Sequence, residues 1–594
     1  MRPPPRFAPP GSPRGPRASL LLHFALALVL VAVAAQAASA QVLAPPSGAT
    51  AAVQFLDAAD AAARAGDPAR ATDLAYRASV AAYAASVRPS GSPGADLWAQ
   101  TLYRRAVAQC LTWASQAGRL DPRSHLLIAG PGTLGLIEVP ILHQGFLWQP
   151  SDFNQLIDPE RLASDPGLER PHRRAGLGAP MVAIRFRRSD GPIEPFYGAR
   201  HPFVATALIV PDLDAWTHPD PSTPPADRLV LLDPRRVGRV QLEGQMWPLA
   251  ADFDSNVSMM RDIMGGDRYR FLALLRPDRT LDVARLFMVE PYQPGKIPVI
   301  LVHGLWSSPT TWSDLQGDLE CDREITSRYQ LWTFTYPTGM SFLASAEILR
   351  NALDQIVPTL DPSGADPSLR SIVLVTHSMG GLIGRLQTTS SGDALWSAYS
   401  STPFDEMVLD PALAERLRPR FFFEPQPYVS RVVFIATPHR GAMMANQLVG
   451  RLSSRLIREP ADWRDAFREM RQDNPGAMNG WLRRRPPTSI DLLQPDHPIL
   501  IAINELPRAP GVAYHSIIGV GGHRRLLVEE PTDGVVAFHS AALASVDSEI
   551  LVDARHANIH HRPETTAEVR RILLLHSTTQ TPDNDPDVLK THHR

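Results

Sequence analysis

The chain has 594 residues and a formal charge of −2, from 59 Lys and Arg against 61 Asp and Glu. It is long enough for two to four domains, and its charge balance gives no support to nucleic-acid binding. Lysine is almost absent, with only Lys296 and Lys590, which argues against Schiff-base chemistry.

Residues 1–40 read as an export signal. Arg2, Arg6, Arg14 and Arg17 precede an uncharged apolar run from Ala18 to about Ala35, and Ala38-Ser39-Ala40 offers a small-residue cleavage pattern before Gln41. Export to the periplasm or beyond is the expectation; the alternative is an uncleaved apolar anchor.

Residues 41–120 form a helical segment. Alanine-rich stretches from Ala51 to Ala65 and from Ala69 to Val87 are split by the stop-and-restart signal Gly66-Asp67-Pro68. A third run, Leu97 to Ala117, places Leu102, Ala106, Cys110 and Ala114 along one face. No repeat of fixed period is present, so a one-off helical cap is expected.

Residues 121–280 change texture to a β-rich region of open role. The predicted strands are Met181 to Arg187, Phe203 to Val210, Arg228 to Leu232 and Val237 to Leu242, set between Pro- and Gly-rich turns.

From 281 to 576 strand and helix patterns alternate. Predicted strands are Ala284 to Val289, Pro298 to Val302, Leu331 to Tyr336, Ser371 to Val375, Arg431 to Ala436, Tyr514 to Gly519 and Glu549 to Val552. Helices are expected over Ser341 to Ile356, Leu382 to Thr388 and Thr565 to His576, and residues 577–594 read as a polar tail. Apolar strand runs of this kind suit buried parallel strands, so the fold class is α/β: a doubly wound, mostly parallel sheet with active residues at the carboxyl ends of its strands.

The chemistry concentrates in Val375-Thr376-His377-Ser378-Met379-Gly380-Gly381, a strand-to-helix turn with a serine at its tip. Ser378 needs a base to become a nucleophile. Gly380 lets the helix start close to the strand, and the backbone N–H of Met379 would point at a developing oxyanion. The pattern G-x-S-x-G is broken only at its first position, where Thr376 implies a looser elbow.

An acid and a base should follow in that order. Asp533 lies in Pro531-Thr532-Asp533-Gly534, and His556 follows the last strand, with His560 and His561 as rivals. Asp533 would fix the imidazole tautomer while His556 carries the proton. The bland readings are an Asp-Gly turn and a surface histidine. His556 and His560 have zinc-pair spacing, but Ala557 stands where a metalloprotease motif needs glutamate, so neither metal nor cofactor is expected. A second oxyanion donor, the N–H of Leu305, is expected in Val302-His303-Gly304-Leu305-Trp306, with His303 shaping that loop. Cys110 and Cys321 lie in different segments, so sequence does not decide whether they pair.

With Val302-His303-Gly304-Leu305, the elbow, Ala436-Thr437-Pro438-His439-Arg440-Gly441, Thr532-Asp533-Gly534-Val535-Val536 and His556 in order, residues 281–576 resemble the α/β-hydrolase superfamily, in its bacterial serine esterase and lipase branch. The resemblance implies a Ser378, Asp533, His556 triad, a structural role for Thr437-Pro438-His439, and an exported carboxylic ester hydrolase working through an acyl-enzyme. Insertions from Ser390 to Tyr428 and from Gly441 to Ile499 fall where such folds carry caps or lids. Phe404, Met407, Leu409, Leu448, Leu452, Leu456 and Ile457 suit either an amphipathic lid, which would favour lipase-like action on acyl esters or lipids and peripheral contact with a lipid surface, or a cap packed on the core. The Arg483-Arg484-Arg485 triplet reads as solvated surface. Acyl transfer with the same triad and an inactive hydrolase-fold scaffold are the other functional readings.

Overall fold

A computed structural model describes residues 47–88, 91–132, 134–162, 170–442, 457, 460–482, 485–522 and 530–580. The export signal, Leu448, Leu452, Leu456, Arg483, Arg484 and residues 581–594 lie outside the described residues. Among the described residues, no helix is long and apolar enough to cross a membrane.

Three helices open the chain: α1 (Ser47–Arg64), α2 (Pro68–Val87) and α3 (Pro93–Gln116). The carboxylate of Asp67 accepts from the Arg70 N–H at 2.9 Å and Pro68 occupies the first turn, so Gly66-Asp67-Pro68 ends one helix and caps the next. Strands β1 (Leu120–Asp121), β2 (His125–Ala129), β3 (Leu136–Gln144), β4 (Gln155–Ile157), β5 (Ala179–Phe186), β6 (Arg200–Val210) and β7 (Arg228–Leu232) make a sheet in the order β1-β2-β3-β7-β6-β5-β4. Its one parallel pairing is β3 with β7.

The helical and β-rich stretches, expected as separate segments, share one hydrophobic core. The alanine faces of α2 and α3 are too small to close a core alone and are buried against the sheet. Two tyrosines fix the register: Tyr76 donates to Asp227 and Tyr103 to the carbonyl of Ile209, each at 2.6 Å. The β-rich texture also stops short of residue 280, because two helices follow, α4 (Ser255–Met264) and α5 (Gly266–Leu275). Met259 of α4 packs on Val182 and Ile184 of the front sheet. Leu274 of α5 packs instead on Ile457 and Ile490, in the half of the chain that begins at residue 281.

The second sheet contains all seven strands expected after residue 281: β8 (Arg285–Met288), β9 (Ile297–Val302), β10 (Tyr329–Thr335), β11 (Ile372–His377), β12 (Val429–Ile435), β13 (Ala513–Gly519) and β14 (Ser548–Val552), in the order β8-β10-β9-β11-β12-β13-β14. All pairings are parallel except edge strand β8 with β10. Side chains alternate across a strand, so Ile372 and Leu374 of β11 join one core while Val373 and Val375 join the other. Helices α6 (Phe342–Leu360) and α7 (Met379–Arg385) cover the first face, and α8 (Pro563–Gln580) covers the second through Val569, Ile572 and Leu573. α8 runs four residues into the stretch expected as tail, and Ser577 accepts a hydrogen bond from Arg328 at 3.1 Å.

Within the first insertion Phe404 and Met407 are buried in the main core and Leu409 is partly buried, and Ile457 of the second is buried beside Leu274. These residues form a packed cap. Cys110 is buried in α3, Cys321 ends the helix Ser313–Cys321, and both are free thiols. Charged pairs join the front unit, the described residues before 281, to the half that carries the second sheet. Arg235 donates to Glu320 at 2.6 Å, and the His172 ring bonds Asp254 and Asp318 at 2.9 Å each.

Candidate active site

Ser378 stands between the end of β11 and the start of α7 with φ 54° and ψ −127°. Such a backbone is strained for a residue with a Cβ, and strain of this kind concentrates at functional turns. The fit around it requires glycine at two positions. A Cβ on Gly380 would lie 2.5 Å from the carbonyl oxygens of Val302 and His303, and one on Gly304 would lie 2.8 Å from the Ser378 Cβ. The elbow and the loop after β9 therefore touch through bare backbone.

Thr376 does not loosen this turn. Its hydroxyl donates to the Val433 carbonyl at 2.8 Å, and its methyl sits where a Cβ on Gly384 would come within 2.9 Å. The glycine missing two residues before the serine is compensated by one six residues after it.

His556 Nε2 lies 2.8 Å from Ser378 Oγ, and its Nδ1 lies 2.7 Å from Asp533 Oδ2. The other Asp533 oxygen accepts from the N–H groups of Val535 and Val536 at 2.9 and 2.8 Å, and the His556 N–H donates to the Asp533 carbonyl at 3.1 Å. The Asp-Gly turn is thus real, and it holds the carboxylate toward the ring. A carboxylate at Nδ1 selects the tautomer with a bare Nε2, which can accept the serine proton.

The rival histidines are committed elsewhere. His560 Nε2 and Thr311 Oγ1 share a hydrogen bond of 2.7 Å, and His561 Nδ1 bonds Asp314 at 2.6 Å. Burial holds His560 well below the ordinary histidine range, with the neighbouring His377 and His561 adding to the effect. Among the described residues no group of three His, Cys, Asp or Glu is arranged to hold a metal ion.

Met379 is the first residue of α7, so its N–H is one of the helix-start donors without an intrahelical acceptor. Leu305 directly follows Gly304 and, with Ser378, lines a cavity of about 280 Å³. Leu274, Ala442, Ile490, Leu493, Val535 and Val536 also line it, so its walls are largely apolar. His303 stacks on Tyr336 with centroids 4.4 Å apart, and its carbonyl accepts from the Tyr336 hydroxyl at 2.6 Å. Burial keeps this ring down at about 4, hence neutral. The Thr437 side chain fills the space a Cβ on Gly381 would need, and the carbonyl of buried His439 accepts from Asn504 at 2.6 Å.

Two contributors escaped the sequence reading. His377 donates from Nε2 to the His556 carbonyl at 3.0 Å; its only signal was a histidine directly before the serine. Arg270, on α5, donates twice to the Trp306 carbonyl at 3.1 and 2.9 Å and also lines the Ser378 cavity. No signal pointed to it, because α5 lies outside the stretch that carries the motifs.

A mostly parallel sheet covered on both faces, with a serine raised at the turn after its central strand, defines the α/β-hydrolase fold. Residues 299–569 match the family model described as Alpha/beta hydrolase family, in support of an α/β-hydrolase fold for this part of the chain. Among solved structures, the chain is similar to the mature lipase BlEst2 of Bacillus licheniformis, with 17% identity over 48% of this chain and 97% of that one and a TM-score of 0.31. It is also similar to lipase 1 from Pelosinus fermentans, with 15% identity over 49% and 100% of the two chains and a TM-score of 0.30. For phospholipase PlaB from Legionella pneumophila the identity is 16% over 48% and 59%, with a TM-score of 0.29. No curated protein matches the sequence.

Proposed function

We propose that the protein is an exported serine hydrolase that cleaves carboxylic esters, in the manner of a lipase, with Ser378 as nucleophile, His556 as base and Asp533 as its orienting acid. The observation that carries the reading is the unbroken chain of hydrogen bonds from Asp533 through His556 to Ser378, of 2.7 and 2.8 Å. The Ser378 hydroxyl attacks the ester carbonyl while its proton passes to His556 Nε2. Charge gathers on the carbonyl oxygen, where the N–H groups of Met379 and Leu305 are the proposed donors; losing one such donor costs about 2.7–4 kcal/mol in a comparable site. Collapse of the intermediate expels the alkoxide, which takes the proton from His556 and leaves an acyl-serine. Water then gives its proton to His556 and attacks the acyl carbonyl, releasing the carboxylic acid and restoring Ser378.

The apolar walls around Ser378 support an acyl chain as the bound group. A fluorophosphonate probe is expected to label the protein and not the Ser378→Ala variant; labelling that survives the substitution would overturn the assignment. Asp533→Asn is expected to lower kcat by about 10⁴ by favouring the wrong tautomer, as measured with p-nitrophenyl butyrate.

A further inference from the structure

The front unit and the catalytic half enclose a second cavity of about 380 Å³, at the seam between α4 and edge strand β8. Its walls are mostly apolar: Val257, Met260 and Ile263 from α4 face Val283, Phe287 and Met288 around β8. A solvent-filled gap lined this way is unfavourable at roughly 25 cal/mol per Å² of apolar surface left wet, so an apolar occupant would be stabilising. A largely apolar cavity with a few polar residues in its wall, Arg200 and Gln316 among them, has the anatomy of a ligand site.

A third cavity borders both this one and the one at Ser378. A polar vestibule of about 310 Å³ shares Met264 and Thr310 with the seam cavity, and shares Arg270, Ser307, Thr311 and Ala557 with the Ser378 cavity. From the nucleophile outward, the bordering cavities are therefore lined by apolar, then polar, then apolar groups. A molecule matching that sequence has two apolar chains joined by a polar linker. We infer that the seam cavity takes the second acyl chain of a two-chain lipid ester whose scissile chain lies at Ser378 and whose linker lies in the vestibule. This rests on the ester-hydrolase reading for the first chain and assigns the front unit a share in substrate binding.

The test is binding of cis-parinaric acid, a fluorescent fatty acid, to the full-length Ser378→Ala protein, so that the measurement needs no catalysis. Met260→Trp and Phe287→Trp, which fill the seam cavity from opposite walls, are each expected to weaken binding at least tenfold; should one fail to fold, as read by circular dichroism, the other decides. Leu493→Trp, which fills the Ser378 cavity, serves as the contrast. Binding weakened by Leu493→Trp alone, or by none of the three, would overturn the inference. In proteins with Ser378 intact, the same seam variants are expected to lower the ratio of turnover on dioleoylphosphatidylglycerol vesicles to turnover on p-nitrophenyl butyrate at least tenfold, and an unchanged ratio would count against it. A wild-type protein inert to every ester and to fluorophosphonate would instead refute the hydrolase reading and leave the binding result standing.

Discussion

Arg270 donates two hydrogen bonds to the backbone carbonyl of Trp306, so a helix outside the matched hydrolase region holds the loop that carries Leu305. Trp306 has φ 54°, a left-handed backbone that a residue with a side chain adopts at a cost. Removing the guanidinium frees that peptide to relax and to turn the Leu305 N–H. Arg270→Met is expected to lower kcat by about tenfold, less than the 10²–10³ of deleting a donor outright, with a smaller change in KM. Steady-state kinetics on a short-chain ester checks this, and an unchanged kcat would show that the loop holds itself.

His377 ties the elbow to the base loop through the His556 carbonyl. Burial, reinforced by the neighbouring His556, holds its ring well below the ordinary histidine range, so it acts as a neutral donor and adds no step to the pH profile. His377→Phe is expected to reduce kcat by on the order of 10–10² through misplacement of the base. His377→Gln, which keeps an N–H donor, should recover most of that loss, and both variants should keep the wild-type shape of the pH–rate curve. Equal losses in Phe and Gln would mean that the ring's packing matters and its hydrogen bond does not.

Thr376 and Gly384 form a complementary pair, with only 2.9 Å between the threonine methyl and a Cβ built on the glycine. Gly384→Ala should destabilise the fold by about 1–3 kcal/mol from overpacking, against a helix-propensity gain of about 1 kcal/mol. In a Thr376→Ser background, which removes the methyl and keeps the hydroxyl bonded to Val433, the same change should cost clearly less. Urea unfolding of the four proteins gives the coupling; additive effects would separate the two residues.

His172 lies at the seam between Asp254 of the front unit and Asp318 of the catalytic half. Burial works against its charge, yet the hydrogen bonds to Asp254 and then Asp318 outweigh it and hold the imidazolium up to about 9. A pKa raised on folding contributes stability that is complete below the ordinary value of about 6.5 and is lost as pH rises through about 9. The Tm difference between the wild type and His172→Gln should therefore be large at pH 6 and shrink toward pH 10. A gap that does not change with pH would show that the neutral ring supplies the stability.

The parts of the fold that were legible share one property, local pattern. Each strand from β8 to β14 is a short apolar run closed by turn residues, and Gly66-Asp67-Pro68 marks a helix boundary whatever surrounds it. What stayed hidden depends on contacts between distant segments. α4 and α5 pack on different halves, and α5 shows no clean helical period that would announce its place. Thr376 in place of glycine points to a looser elbow when read along the chain alone, whereas Gly384, in the next helix, makes room for its methyl.

By itself the sequence determined the sheet class, the order of the motif residues, and Ser378, Asp533 and His556 as the set to examine, since spacing along strands and turns constrains where backbone can bend and which side chains emerge at its ends. Only the tertiary structure decided which histidine meets the serine. His556, His560 and His561 lie within six residues of one another, and the choice among them rests on hydrogen bonds to Asp533, Thr311 and Asp314, groups brought close by folding from positions up to 249 residues away. The same holds for Arg270 and the seam cavity, which exist only because the front unit packs against the edge of the catalytic sheet.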